Sequence, residues 1–421
     1  MTVRRPRTIV RIVAPIAAAA LALAGCSSSG GGSGGSGGDP KVIKIGILTP
    51  STGANALQGG IQLAGAQIAV DDINAAGGIK ALGGAKLELV HQDGGTTAAD
   101  STTAVQALLN GNNLVAMIGT GTSTNDLAIQ PIMEQHKVPM LDTVFADKLT
   151  DGTFKYTFVM PPAQSTLDSI QYPAIEAAAK SAGINLSRVA IISGTNPTNV
   201  ASAKDVRNIY AKKYGWNIVI DQTIQIGTMT GAPLSNLVAQ IKTQKPQVLF
   251  IGLTLDDVVA IQRQELAEGM TPVPWLLDGA PFLSQPFYNA LGTQGTNGVF
   301  AIDSVSVNPK SEAIVKEMQA KGQKYVNQFN LGSYSEIYII AQALEDAKST
   351  NSTQVRNAIA ALNLTSGNAA AVWPCDCVKF SSDGRAAEAT GVLRQWQNGA
   401  IVDVYPTNLA NGKAVWPANG S

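Results

Sequence analysis

Few side chains in this sequence carry the chemistry of catalysis. Its two histidines, His91 and His136, belong to no His-Glu-x-x-His pair and to no recognisable triad. No Walker loop and no dinucleotide fingerprint is present. His91 lies on a predicted strand over residues 87–93, and His136 lies near a predicted helix end, where a solvated histidine is the ordinary case. The sequence therefore predicts no enzyme, no cofactor and no metal site.

Cys26 has the most specific chemical setting. It follows Leu23-Ala24-Gly25 and an apolar run over 12–24, which is about half of the ~20 residues that a membrane-spanning helix needs. The run is typical of a signal peptide over 1–25, and Leu-Ala-Gly-Cys resembles the bacterial lipobox, in which the cysteine sulfur receives a diacylglyceryl group. Residues 26–40, rich in Gly and Ser, predict a flexible tether. We therefore expect a lipid anchor at Cys26, outside the cytoplasmic membrane, at the cell surface or its periplasmic face.

The other two cysteines, Cys375 and Cys377, are separated by one residue. Two interpretations stay open: a local bridge, or two free thiols near a turn. No histidine lies nearby in the sequence, so the pair does not predict a structural zinc site.

The charge balance argues against a nucleic-acid partner. The chain has 30 basic and 30 acidic residues, and four of the basic ones are arginines before Cys26; removing those four from the 30 leaves 26 basic against 30 acidic residues. The remainder is slightly acidic and has no basic cluster, so it lacks the electrostatic footprint of a protein that binds nucleic acid.

A length of 421 residues with 45% hydrophobic residues predicts about two domains. From residue 41 onward, apolar strands, the first over 42–48, alternate with amphipathic helices, and the rhythm pauses at Pro161-Pro162. A similar series follows, and the remaining third contains helices predicted near 311–329 and 333–348. Such alternation predicts two Rossmann-like α/β lobes with parallel sheets. We assign 41–162, with about 300–372, to lobe 1, and 163–299, with about 373–421, to lobe 2, so that several strands form the hinge.

Two residues follow predicted strands at positions suited to ligand binding. Parallel sheets bind ligands outside the carboxyl ends of their strands, where helix N-termini present free N–H groups. Ser123 precedes a helix predicted over 125–135, so its hydroxyl and the following amides, Thr124 included, could hold a carboxylate or a carbonyl; ordinary helix capping is the alternative. Asp278 follows an apolar strand and could receive a cation, although Asp-Gly is also a common turn.

Several segments together resemble the periplasmic branched-chain amino acid (Leu/Ile/Val) binding proteins, which are bacterial ABC-transporter solute-binding proteins. The most specific segment is Asp71-Asp72-Ile73-Asn74-Ala75-Ala76-Gly77-Gly78-Ile79. Similar segments occupy 43–53, 65–66, 87–93, 115–119, 138–140, 272–279 and 334–344. The resemblance covers most of the mature chain and implies a type 1 periplasmic-binding fold that closes about its hinge when a ligand enters.

The resemblance also implies roles for particular residues. It places a ligand-binding serine at Ser123, an acid that receives the ligand's ammonium group at Asp278, and a cleft aromatic residue at Tyr334, for which a packed helix tyrosine is the alternative. This sequence differs from the usual family sequence at Gln58 and Thr254, where the family has aromatic residues. It departs again at Ala146, where a threonine hydroxyl would meet the ligand, and beside it at Val144. Leucine therefore does not follow as the ligand.

These features predict a monomeric extracytoplasmic receptor that captures a small polar solute, an amino acid or a related compound, and delivers it to an ABC permease in the membrane. Two alternatives stay open. An extracellular sensing lipoprotein would use the same fold and signal through a membrane partner. An exported hydrolase would also have two lobes around a cleft.

Overall fold

The computed structural model describes residues 42–416, and the predicted signal peptide, the tether and Cys26 lie outside that range. The first sheet consists of β1 (Val42–Thr49), β2 (Lys86–Asp93), β3 (Leu114–Ile118), β4 (Met140–Asp142) and β5 (Thr157–Val159). Its order is β2-β1-β3-β4-β5, and all its strands run parallel. Between these strands run α1 (Ala56–Ala75), α2 (Ala98–Gly111) and α3 (Ser123–His136). Every residue of β3 is buried, as expected for a strand that helices cover on both faces.

The second sheet consists of β6 (Arg188–Gly194), β7 (Asn217–Ile224), β8 (Val248–Gly252), β9 (Trp275–Asp278), β10 (Phe300–Asp303) and two later strands, β13 (Val392–Gln397) and β14 (Ala400–Tyr405). Its order is β14-β13-β10-β9-β8-β6-β7, and β13 runs antiparallel to both of its neighbours. The helices of this half are α4 (Gln164–Ser181), α5 (Pro197–Asp205), α6 (Ala211–Tyr214), α7 (Gly231–Gln244), α8 (Leu255–Ala267) and α9 (Gln285–Thr296). A π-helical turn over Val206–Tyr210 joins α5 to α6.

The segment between β10 and β13 packs on the first sheet. It contains α10 (Glu312–Ala320), α11 (Gln328–Ala347), α12 (Ser352–Ala361), β11 (Asn363–Leu364) and β12 (Val378–Lys379). The contact of α11 with α1 is so close that a Cβ on Gly65 would lie 2.1 Å from the carbonyl oxygen of Asn330. A helix was predicted over 311–329, but Gly322, with a φ of 89°, follows the end of α10, and Asn327 caps the start of α11. Among residues 42–416, no helix combines the length and the apolar character that crossing a bilayer requires.

We call residues 42–159 and 305–386 lobe 1, and residues 164–303 and 392–416 lobe 2, because each set shares one sheet and its core. Three segments cross between the lobes, at 160–163, at 304 and at 387–391. The predicted fold of two parallel-sheet lobes joined by several strands is confirmed.

The later crossings come further along the chain than the predicted divisions at 300 and 373. β10 pairs with β9 and therefore belongs to the sheet of lobe 2. Trp373 and Phe380 lie in the core of lobe 1 rather than of lobe 2. In the same segment, a disulfide joins Cys375 to Cys377, which answers the question that the sequence left open.

Candidate functional site

A cleft with a volume of about 570 Å³ lies between lobe 1 and lobe 2. Its walls contain the residues that follow β3 and β4 in lobe 1 and those that follow β6, β8 and β9 in lobe 2. The carboxyl ends of parallel strands are the usual ligand-binding edge of α/β sheets. The carboxylate and carboxamide side chains in the lining are Asn55, Gln58, Asn125, Gln164, Asn196, Asn199, Asp256, Asp278 and Gln328.

The lining has negative charge and aromatic surface. Asp256 and Asp278 are its charged side chains, and none of the described lining residues is Lys, Arg or His. Phe145, Phe282 and Phe329 contribute aromatic rings. Such a cleft can hold a small solute that combines hydrogen-bond donors with an apolar part.

The wall in lobe 1 is built around the N-terminus of α3. The structure places Thr122, not Ser123, at the N-cap, and Ser123 is the first residue of the helix, two residues before the predicted start. Its hydroxyl oxygen accepts the Ala146 N–H at 3.3 Å, so ordinary capping is not its role. Thr122, Ser123 and Thr124 all line the cleft, where the first N–H groups of a helix lack intrahelical partners.

Two buried acids hold the backbone of this wall from behind. Asp126 accepts the Thr120 N–H at 3.0 Å, and Asp142 accepts the Thr143 N–H at 2.6 Å. The two carboxyls also share a hydrogen bond, and burial raises the pKa of both. Glu336 of α11 is fully buried nearby, neither of its oxygens has a partner, and burial raises its pKa well above the usual range.

The wall in lobe 2 contains Asp278, a half-buried carboxylate at the end of β9. Its Oδ2 accepts a hydrogen bond from the side-chain amide nitrogen of Gln164 at 3.1 Å, and the same nitrogen donates a second hydrogen bond to Asp168 Oδ1 at 2.8 Å. Burial and then the neighbouring Asp168 charge raise the pKa of Asp278 to about 7. Burial likewise raises the pKa of Asp168 to about 6.

Among the residues selected from the sequence, Gln58, Ser123, Thr124, Val144, Thr254 and Asp278 line the cleft. Gln58 donates its amide to the Gly121 carbonyl at 2.8 Å, which ties α1 to the turn before α3. Thr254 caps α8, and its hydroxyl donates to Asp257 at 2.8 Å.

Ala146 and Tyr334 do not line the cleft. Ala146 lies behind its wall, where Arg385 donates to its carbonyl oxygen at 2.8 Å. The expected position of Tyr334 near the cleft is wrong, because this side chain is 1% exposed in the core of lobe 1 and its hydroxyl donates to Asp72 at 3.3 Å. Because α11 begins at Gln328 rather than at the predicted residue 333, Gln328 and Phe329 line the cleft in its place.

Other lining residues were missed in the sequence. Gln164 begins α4 directly after the first crossing, and Asn196 and Asn199 follow β6. The rule that residues after each strand build the cleft identifies the two asparagines. No such rule identifies Gln164, because the hydrogen bond that joins it to Asp278 spans 114 residues of the chain.

Comparison with known proteins agrees with this architecture. A family model described as periplasmic binding protein matches residues 42–400. Leu/Ile/Val-binding protein homolog 8 of Brucella melitensis biotype 1 is 27% identical over 390 residues, which cover 88% of this chain and 92% of the relative. Homolog 7 of Brucella suis biovar 1 is 26% identical, with coverage of 87% and 92%.

Solved structures share the fold. A branched-chain amino acid transporter substrate-binding protein of Streptococcus pneumoniae, in complex with isoleucine, has a TM-score of 0.73 and 21% identity, covering 86% of this chain and 97% of that one. A solute-binding protein of R. palustris, in complex with benzoate, has a TM-score of 0.71 and 17% identity, covering 90% and 98%. Since the family model spans residues 42–400 of 421, the chain belongs to the periplasmic binding protein family.

Proposed function

We propose that this protein is an extracytoplasmic receptor that captures a small polar solute, an amino acid or a related compound, between its lobes and delivers it to an ABC importer. The observation that carries the proposal is the cleft of about 570 Å³ between two lobes that three chain segments connect. Relatives named as Leu/Ile/Val-binding proteins support the amino acid class.

The two walls suggest how a zwitterion would bind. The amides at the start of α3, with Ser123 and Thr124, suit a carboxylate or carbonyl, since the N-terminus of a helix attracts negative charge. Asp278 in the opposite wall suits an ammonium group. Gln58 and Thr254 line the cleft where the resembled family usually has aromatic residues, so leucine itself is not implied.

The remaining parts of the proposal come from the sequence. Cys26 would carry the lipid, residues 26–40 would tether the receptor to the outer face of the cytoplasmic membrane, and an ABC permease would receive the solute from a monomer. Mass spectrometry of the protein extracted from membranes tests the anchor, because diacylglyceryl modification changes the mass of the N-terminal peptide and replacing Cys26 with Ser removes it.

A thermal-shift screen of the mature protein against amino acids, amides, short acids and aromatic solutes tests solute capture. A solute at 100 times its dissociation constant should stabilise the protein by about 2.7 kcal/mol. Small-angle scattering with each stabilising solute should then reveal closure of the lobes. If solutes stabilise the protein but none of them changes its scattering profile, the proposal is contradicted. The Ser123→Ala variant should bind carboxylate-bearing solutes with lower affinity than the wild type.

A further inference from the structure

The Cys375–Cys377 disulfide closes a short turn, which we call the cystine turn, over residues 373–378. Both ends of the turn are anchored in lobe 1, since Trp373 is 2% exposed and Val378 is fully buried in its core. The two cysteines between them are only half-buried. The bridge is therefore open to a reagent in solution, although the segment that carries it is held in place at both ends.

A bridge in this position adds little to the overall stability of the fold. The stabilisation that a disulfide gives by restricting the unfolded chain grows with the length of the loop that it closes, and one residue separates these two cysteines. Its effect is local instead. Asp376, the residue between the cysteines, has a φ of 51°, in the left-handed region that residues other than glycine seldom adopt. Because the ring contains three residues, closing it restricts the backbone of Asp376 to few conformations.

The Asp376 carboxylate holds the segment that follows the second crossing. Its Oδ2 accepts a hydrogen bond from Lys310 Nζ at 2.7 Å, and its Oδ1 accepts one from the Asn308 side-chain amide at 3.4 Å. Beside the turn, the Ser306 N–H donates to the Val372 carbonyl at 2.9 Å. The cystine turn and its neighbour thereby fix the chain directly after it passes from lobe 2 into lobe 1.

The bridge also lies beside all three crossings. A small cavity next to the cystine turn is lined by both cysteines, by Met160 of the first crossing, by Ser304 of the second and by Thr390 of the third. A change in the conformation of the turn therefore reaches every segment through which one lobe moves relative to the other. Exposed disulfides with such local roles are the ones that exchange with thiols, whereas structural bridges resist reduction.

We propose that the Cys375–Cys377 bridge is a site of thiol–disulfide exchange for an extracytoplasmic dithiol, and that its redox state regulates the mobility of the three crossings. Reduction opens the ring and frees the backbone of Asp376. The carboxylate then loses the position from which it contacts Asn308 and Lys310. The oxidised protein thus has firmly held crossings, and the reduced protein has mobile ones.

The exchange takes place in two steps. One thiolate of the dithiol attacks a sulfur of the bridge, the S–S bond breaks, and the other cysteine leaves as a thiolate that takes up a proton from water. The second thiolate of the dithiol then attacks the mixed disulfide and releases the first cysteine. Two electrons and two protons in total pass to the cysteines, and the dithiol becomes a disulfide.

Hydrogen exchange of the ligand-free protein, followed by mass spectrometry, tests the proposal. It needs no solute, so its outcome does not depend on the proposed receptor function. The protein carries Cys26→Ser, because Cys26 is the third of the three cysteines in the chain. Dithiothreitol is the dithiol probe, and alkylation counts the thiols that it frees. We expect full reduction while the protein stays folded, with amide exchange at least about fivefold faster over 304–310 and 387–391, the lower end of typical coupling between sites.

The variant with both Cys375→Ser and Cys377→Ser cannot form the bridge. It should exchange like the reduced wild type, and dithiothreitol should not change it further, which controls for other effects of the reagent. A bridge that dithiothreitol reduces only after the protein unfolds overturns the exchange site. Faster exchange that is confined to residues 373–378 overturns the link to the crossings. If the variant does not fold, the oxidised and reduced wild type decide between these outcomes.

Discussion

Each lobe has a group of acids at its cleft wall, and the two groups are used differently. In lobe 1, Asp126 and Asp142 accept backbone N–H groups of the wall, and both are fully buried. In lobe 2, Asp168 and Asp278 are connected by a side-chain amide, and Asp278 lines the cleft. The carboxyls of lobe 1 thus fix the shape of their wall, whereas in lobe 2 one carboxyl of the pair, Asp278, faces the cleft.

Replacing Asp278 with Asn tests the lobe 2 half of this comparison and should have the largest effect. Losing one partner of a buried charge pair costs about 2–5 kcal/mol, which weakens binding of an N–H-bearing cation about 30-fold or more. Calorimetry at pH 8 measures this loss. The control is Glu265→Gln, which changes a buried carboxyl of α8 outside the cleft lining and should leave affinity unchanged. Equal affinity for the Asp278→Asn variant and the wild type would remove Asp278 from the site.

The pH dependence of affinity should separate the two groups of acids. Because the pKa of Asp278 is raised to about 7, the carboxyl is protonated below that pH and loses its attraction for a cation. Affinity should therefore fall about tenfold for each unit below pH 7 and level off above pH 8. A profile that stays flat from pH 5 to pH 8 contradicts the ionisable contact.

Replacing Glu336 with Gln tests the lobe 1 half. Burial raises the pKa of Glu336, so this unpartnered carboxyl stays protonated in the folded protein while the unfolded chain ionises it above the ordinary pKa of 4.5, and its contribution to stability falls as pH rises from there towards the raised pKa. The Gln variant avoids this loss and should be about 1–2 kcal/mol more stable than the wild type at pH 9. Denaturant unfolding at pH 6 and pH 9 measures the difference. Solute affinity should not change, and a large change would mean that the lobe 1 acids also act on the ligand.

Replacing Tyr334 with Phe should have the smallest effect. The variant loses the hydroxyl that contacts Asp72 and Asn368 in the lobe 1 core, and stability should fall by about 1 kcal/mol. Thermal unfolding and calorimetry together check the expectation. If the Tyr334→Phe variant binds the solute more weakly but is as stable as the wild type, Tyr334 contacts the solute after all.

The sequence predicted the fold well where the local pattern was strong. The apolar run over 42–48 became β1, and the pause at Pro161-Pro162 marked the first crossing. The sequence pattern did not predict α4, which contains Pro173, or α9, which contains a residue outside helical geometry at Gly292. Both helices owe their stability to the packing of lobe 2 more than to local propensity.

The sequence predicted residues after strands that line the cleft, and it missed residues whose position depends on tertiary packing. Ser123 and Asp278 line the cleft because strand ends meet at one edge of each sheet. Asp168 lies in the interior of α4 and gains its relation to Asp278 through a long-range contact with Gln164. Tyr334 was misplaced because the capping residue Asn327 starts α11 earlier than expected.

Arg385 gives the protein a constraint that matters for engineering. From the segment before the third crossing, its guanidinium donates to the carbonyl oxygens of Ala146, behind the cleft, and Pro161, in the first crossing, each at 2.8 Å. A third bond, to Thr150 Oγ1 at 2.8 Å, ends the same loop over 143–150. A designer who replaces that loop to change the lining of the cleft must therefore replace the arginine segment with it, since the cleft loop and the crossing segments form one exchangeable unit.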